Sequence, residues 1–142
     1  DIRALEKCGV DSSNIKAICT LALARRVWPE AEAHNISALI YMITKGSERA
    51  REMIRKAHRA DMDIILTANI LMHIVHHLKI SSIEELYEAS EDARIPRTIN
   101  FGKHRGTAIA DLPADYIQWL LRQDDLDPYL RKALENTAIL TL

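Results

Sequence analysis

The chain has 142 residues, of which 48% are apolar and 27% charged, and this composition excludes a disordered or fibrous protein. Its net charge of −1 excludes the broadly basic surface of many DNA-binding proteins, so any contact with nucleic acid must depend on local charge. The longest apolar run, Ile64–Leu78, is interrupted by polar side chains, and we expect no membrane segment. Cys8 and Cys19 form no CxxC motif, which favours a reduced protein in the cytoplasm.

The start of the chain predicts a helix that begins at once. Ile2 and Leu5 share one helical face, and Gly9 is suited to end the helix. Because the first residue is Asp1 rather than Met, we expect the chain to be a fragment or a processed product. Alternating apolar residues then predict a short strand at Ile15–Cys19.

The next part of the chain predicts a series of helices with recognisable ends. Thr20 is suited to cap the first of them, and Ser82 with Glu85 forms a capping-box pattern for the last. The longest should bury one apolar stripe. The expected helices are Leu21–Trp28, Ser37–Thr44, Ser47–Lys56, Arg59–Leu78 and Ser82–Ala89, and the expected stripe of the longest is Ile64, Ala68, Leu71, Met72, Val75 and Leu78.

Composition changes after Ser90, and we place a domain boundary there, with residues 1–90 in one domain and 91–142 in a small second one. Glu91–Pro96 is typical of a linker. Beyond it, Thr98–Phe101 and Thr107–Ile109 are expected to pair as a hairpin, followed by a helix from near Asp111 and another capped by Asp127. The chain should therefore be mostly α-helical with a few short strands.

The spacing HxxxxD at His58 and Asp63 is the first candidate for chemistry. On one continuous helix a five-residue step would leave the two side chains about 140° apart. They can converge only if a helix begins after His58, in which case Asp63 would project a hard oxygen ligand suited to Mg²⁺ or Mn²⁺. Taken alone, the spacing arises often by chance and favours two unrelated surface residues.

The basic stretch Arg94–Arg105 is the second candidate. It contains no acidic residue, and its exposed turn could hold DNA phosphates in a sequence-independent way. Phe101 could stack on a base of a single strand, but its alternating position favours a core role, and Tyr116 and Trp119 are expected to be packing residues. The predicted nucleic-acid-binding residues are Arg97, Lys103, His104 and Arg105.

Three segments resemble the DEDDh class of 3′→5′ exonucleases, in the order of that family. Ile18–Pro29 (ICTLALARRVWP) resembles the segment after its second acidic motif, and His58–Asp63 (HRADMD) resembles its third motif. Ile99–Leu121 (INFGKHRGTAIADLPADYIQWLL) resembles the carboxy-terminal module of the exodeoxyribonuclease X branch and is the most specific of the three. The resemblance covers nearly the whole chain.

This resemblance implies an α/β ribonuclease H-like exonuclease fold for the intact protein, with His58 as general base and Asp63 as a metal ligand. Asp1 fits the place of the second-motif carboxylate, although the residues that normally introduce that motif are absent. The family uses two ions, Mg²⁺ or Mn²⁺, about 4 Å apart. Its DxE motif is missing here, so the chain alone is expected to be inactive.

The function implied is removal of nucleotides from 3′ ends of DNA, with single-stranded ends preferred, in repair or end processing. The alternative is a catalytically incomplete module that only binds nucleic acid or a protein partner. The missing DxE carboxylates favour that alternative, and the motif segments favour the nuclease.

Overall fold

A computed structural model describes residues 2–57 and 59–140, and the regular secondary structure of these residues is helical. The described residues contain eight α-helices and one short 3-10 helix, Ile109–Asp111. The α-helices are α1 Ile2–Lys7, α2 Thr20–Val27, α3 Ile36–Ile43, α4 Glu48–Arg55, α5 Ala60–Leu78, α6 Ile83–Arg94, α7 Ala114–Leu121 and α8 Pro128–Leu140.

The few short strands expected from the sequence are absent from these described ranges. Ile15–Cys19 is irregular, and the only sheet-like pairing there is one antiparallel bridge between Thr98 and Ala108. A strand is stabilised by hydrogen bonds to a neighbouring strand, whereas Lys16 and Cys19 contact helix α6, at Tyr87 and Ser90. This part of the fold prediction is therefore wrong for the chain as described.

The chain divides into two compact units, Asp1–Ala93 and Arg94–Leu142. The segment Glu91–Pro96, predicted to be a linker, is helical as far as Arg94 because α6 continues the inward-facing positions begun by Leu86 and Ser90.

In the first unit, α5 packs against α2 and α3. The core comprises Leu23, Ala24, Leu39, Ile40, Ala50, Leu66, Ile70, Ile74 and Leu86. The stripe that α5 buries is therefore Leu66, Ile70 and Ile74. The predicted stripe was wrong in part: Leu71 and Val75 pack against this core, but Ile64 is 70% exposed and Met72 67% exposed.

Ser90 links the end of α6 to the start of α2. It is fully buried, and its Oγ accepts a hydrogen bond of 2.7 Å from the backbone N–H of Cys19. Close by in the chain, Asp92 accepts from the Arg26 guanidinium through both its carboxylate and its carbonyl oxygen, each at 2.9 Å. These polar contacts fix α6 beside α2.

Replacing Ser90 with alanine should lower the free energy of unfolding by about 1–3 kcal/mol, because the Cys19 N–H loses its acceptor. Urea denaturation followed by circular dichroism measures this change. Ser37→Ala, the same substitution within α3, is the control for the helix propensity gained by alanine. Equal midpoints for the two variants would mean that the Ser90–Cys19 hydrogen bond contributes nothing to stability.

The second unit has a core of its own, built from the bridge, the 3-10 helix, α7 and α8. Its buried residues are Ile99, Ile109, Leu112, Ile117, Leu120, Leu130, Ala133 and Leu134. Asp127 caps α8 as predicted, accepting from the backbone N–H of Leu130 at 3.1 Å. Helix α7 begins at Ala114, later than predicted, because Pro113 holds Leu112 in an extended conformation with ψ 142°.

Among the described residues, no single helix combines the length and apolar character needed to cross a bilayer. Helices α5 and α6 reach that length and apolar character only when taken together, and a bend of 95° separates them.

Candidate functional site

The first turn of α5 carries two carboxylates with different surroundings. Asp61 is exposed and pairs with the Arg59 guanidinium at 3.2 Å. Asp63 is half-buried, and its backbone N–H donates to the Arg59 carbonyl at 2.9 Å in the first turn of the helix. A negative charge in this turn is favoured by the helix dipole. The hydrogen bond to the Arg59 carbonyl therefore places the Asp63 backbone in the first turn of α5.

The helix break required by the HxxxxD hypothesis is present. Helix α4 ends at Arg55, α5 begins at Ala60, and Arg59 between them is extended with φ −100° and ψ 132°. His58 falls within this break in the sequence, but both His58 and Asp1 lie outside the described residues. Of the three residues predicted to form the catalytic and metal site, only Asp63 is placed.

Asp63 lies at the edge of an open depression of about 400 Å³ along α5. The remaining lining residues are Ile64, Thr67, Ala68 and Leu71, so the walls are mostly hydrocarbon. Across residues 2–57 and 59–140, no three His, Cys, Asp or Glu side chains gather closely enough to hold a metal ion. The described residues by themselves therefore do not fit a two-metal site, and Asp63 offers a single carboxylate to one.

The predicted nucleic-acid-binding residues lie in a turn, residues 97–107, which we call the basic turn. The Thr98–Ala108 bridge closes it, together with a hydrogen bond of 2.7 Å from the Gly106 N–H to the Ile99 carbonyl. The hairpin expected at this place is reduced to that single bridge. Arg97, Lys103 and Arg105 are exposed, whereas His104 is half-buried.

His104 packs against a row of aromatic rings that we call the aromatic ladder: His104, Tyr116 and Trp119. The His104 and Tyr116 ring centres are 4.4 Å apart with the planes tilted by 51°. The Tyr116 and Trp119 rings are stacked, with centres 5.6 Å apart and planes 22° from parallel. Lys103 Nζ lies 5.7 Å from the centre of the Tyr116 ring, within reach of a cation–π contact. The ladder thus joins α7 to the basic turn.

Gly102 allows the turn to approach the ladder closely. Its φ of 63° is a left-handed conformation that other residues rarely adopt. A Cβ at this position would also lie 3.3 Å from Tyr116 Oη. Glycine is therefore favoured here both by the backbone conformation and by the closeness of the tyrosine hydroxyl.

Two aromatic residues expected in the core are instead exposed. Phe101 is 41% exposed and Trp119 52% exposed, whereas Tyr116 is half-buried and packs against the second core as predicted. The reason is visible in α7, where Ile117 and Leu120 form the buried stripe and Trp119 falls beside it. The three-residue spacing between Ile117 and Leu120 was the available signal that Trp119 lies on the surface.

A second depression, of about 280 Å³, lies in the first unit and is lined by three histidines. Trp28 forms one wall and its ring centre lies 6.5 Å from that of His77. These histidines are His73, His76 and His77. Like the other described residues, they form no group of three side chains that could hold a metal ion. We assign no chemistry to this depression.

Comparison with known proteins identifies similarity to nucleases over most of the chain. Exodeoxyribonuclease 10 of Escherichia coli (strain K12) is 30% identical over 123 residues, which cover 84% of this chain and 54% of the relative. The protein of the same name from Escherichia coli O6:H1 matches with the same identity and coverage. The chain thus spans about half the length of these curated relatives.

Residues 93–137 match a family model described as "Putative quorum-sensing-regulated virulence factor". The match falls almost entirely within the second compact unit, which begins at Arg94. No solved structure matches this chain significantly. The similarity to two exodeoxyribonucleases supports an exonuclease-related origin for the chain.

Proposed function

We propose that the protein is a 3′→5′ exonuclease that removes nucleotides from 3′ ends of DNA, preferring single-stranded ends, in repair or end processing. The observation that carries the proposal is the 30% identity, over 84% of this chain, to a protein named as an exodeoxyribonuclease. A nuclease acts on nucleic acid, and the basic turn offers Lys103 and Arg105 in exposed positions for phosphate contacts.

The roles proposed for the catalytic residues follow the DEDDh resemblance. His58 would serve as the general base, while Asp63 and Asp1 would each supply a carboxylate to Mg²⁺ or Mn²⁺. In support, α5 begins after His58 and presents Asp63 in its first turn. Because the described residues do not complete a metal site, the proposed metal dependence requires ligands from outside them.

The two units would have separate roles. We propose that residues 1–90 are the carboxy-terminal part of a ribonuclease H-like exonuclease domain and that residues 91–142 form a small module that binds the substrate. A cytoplasmic location belongs to the same proposal.

A second candidate function is a binding module without catalysis. The specific observation that favours it is that residues 2–57 and 59–140 gather no three potential metal ligands. In that case the basic turn would bind nucleic acid, or a protein partner, and no bond would be broken.

The test is release of nucleotides from a 5′-labelled single strand, comparing the protein encoded by the complete reading frame, its His58→Ala variant and residues 1–142 alone. We expect stepwise shortening of the labelled strand by the complete protein with Mg²⁺ or Mn²⁺ and no shortening in EDTA. His58→Ala should slow it by about 10²–10⁴-fold, the usual contribution of a general base.

Two results would contradict the proposal. Release of the labelled 5′ nucleotide as the first product would show the opposite polarity. An inert complete protein that still retains DNA in a salt-dependent way would establish the binding module instead.

A further inference from the structure

We propose that the aromatic ladder is a platform on which unpaired bases of single-stranded DNA stack, beside phosphates held by the basic turn. The choice of DNA depends on the proposed exonuclease function, and the inference deepens that function by naming the part of the chain that recognises an unpaired strand. The juxtaposition that supports it is an exposed tryptophan at the end of a row of rings whose other end belongs to a turn rich in cations.

The exposure of the aromatic side chains needs an explanation. Trp119 is 52% exposed although the core of its own helix, Ile117 and Leu120, is well packed. Phe101, the one phenylalanine of the chain, is 41% exposed within the basic turn. Large aromatic side chains left in water forgo a substantial burial free energy, and exposed clusters of them commonly mark binding surfaces.

The ladder is held in a fixed arrangement before any ligand arrives. Trp119 is stacked on Tyr116 with an interplanar angle of 22°, and Tyr116 in turn contacts His104. Tyr116 packs against the second core, and the bridge between Thr98 and Ala108 anchors the turn that carries His104. A preformed stacking surface loses little conformational entropy when a base binds to it.

The charges at the basic-turn end of the ladder match a phosphodiester strand. Lys103 Nζ lies 5.7 Å from the Tyr116 ring centre, and Arg105 is exposed two residues further on. Residues 94–107 contain no carboxylate, whereas Asp115 lies four residues before Trp119 on α7 and so on the same helix face. A base stacked at the basic-turn end of the ladder would therefore have its backbone near cations.

An unpaired strand fits this surface better than a duplex does. Bases within a duplex are already stacked on their neighbours and present only their edges to a protein, whereas unpaired bases expose the faces that aromatic side chains contact. Stacking is tolerant of base identity because every base has such a face. The platform should therefore distinguish single strands from duplexes without selecting a sequence.

The test is the affinity of residues 1–142 for a fluorescent 12-nucleotide thymidine strand, measured by anisotropy in EDTA so that catalysis plays no part. Trp119→Ala should weaken binding by about 5- to 100-fold, and Trp119→Phe, which keeps a ring, by less. Lys103→Gln should reduce the dependence of affinity on salt. Tyr41→Ala, which removes a tyrosine that is 51% exposed in the first unit, is the matched control and should bind normally.

Several outcomes would overturn the inference. One is unchanged strand binding by a Trp119→Ala variant whose circular dichroism matches the parent. Another is an equal loss of affinity for a 12-base-pair duplex, or tighter binding to a uridine strand of RNA than to the thymidine strand. Absence of saturable strand binding would also overturn it and would favour a protein as the occupant of the surface.

Failure of this inference differs from failure of the proposed function. If the complete protein degrades DNA but Trp119→Ala binds strands normally, only the platform is wrong. If no nucleotide is released but strand binding depends on Trp119, the platform stands and the exonuclease proposal fails.

Discussion

Replacing Asp63 with asparagine should lower the rate of nucleotide release by the protein of the complete reading frame at least 100-fold. The substitution keeps the size of the side chain and removes the negative charge that we propose to hold a divalent ion. A catalytic ion is worth several kcal/mol of transition-state stabilisation, and each ~1.4 kcal/mol corresponds to a tenfold change in rate. Release of nucleotides from a labelled single strand at saturating Mg²⁺ measures the effect.

Asp61 provides the matched control for this prediction. It carries the same side chain in the same turn of α5, but it is exposed and lies outside the proposed metal site. Asp61→Asn should change the rate of nucleotide release less than about threefold, since an exposed ion pair contributes little to the stability of the fold. Equal losses for the two variants would indicate a general effect of charge at the start of α5 and would remove Asp63 from the proposed metal site.

Several helix ends were predictable because they depend on local chemistry, although Thr20, predicted to cap α2, is instead its first helical residue, and Cys19 before it makes no side-chain cap. Ser47 accepts a hydrogen bond from the Ala50 N–H at 3.3 Å, and Asp127 caps α8 in the same way. Glu85 behaves almost as the capping-box pattern predicts, except that its carboxylate accepts from Ser81 rather than from Ser82. These signals involve residues within four positions of each other, so no knowledge of the tertiary fold is needed.

The buried face of α5 was not predictable in this way. The helix has two apolar stripes, one through Leu66, Ile70 and Ile74 and another that includes Ile64 and Met72. Helical periodicity identifies both stripes but does not say which one faces the neighbouring helices. The choice depends on the positions of α2 and α3, which are tertiary information.

In the candidate sites too, local features were predictable from the sequence and tertiary contacts were not. The sequence predicted a turn at Lys103–Arg105 and a helix start before Asp63, and both are present because they are local features, although the strands expected beside the turn are reduced to one bridge. It did not predict the aromatic ladder, because Tyr116 meets His104 only after the second unit has folded. A row of rings from a turn and a helix has no local sequence signature.

The second core should be sensitive to the loss of a single side chain. Leu134 in α8 is fully buried, and Leu134→Ala is expected to cost about 2–5 kcal/mol. A core in a unit as small as Arg94–Leu142 rarely supplies more than about 3–5 kcal/mol in total. The substitution should therefore unfold most of the second unit. Hydrogen exchange read peptide by peptide should show lost protection from residue 94 onwards, with protection of α5 retained.

The same substitution connects the core to the proposed binding surface. Leu134 belongs to the cluster that also holds Ile117 and Leu120, the residues that fix α7 and hence the position of Trp119. Leu134→Ala should accordingly weaken strand binding as well, through unfolding rather than through a lost contact. Leu21→Ala, at a leucine that is 43% exposed, should leave both exchange and binding unchanged. Loss of protection in α5 together with the second unit would mean that the two cores fold as one, so that Trp119 would depend on the whole chain.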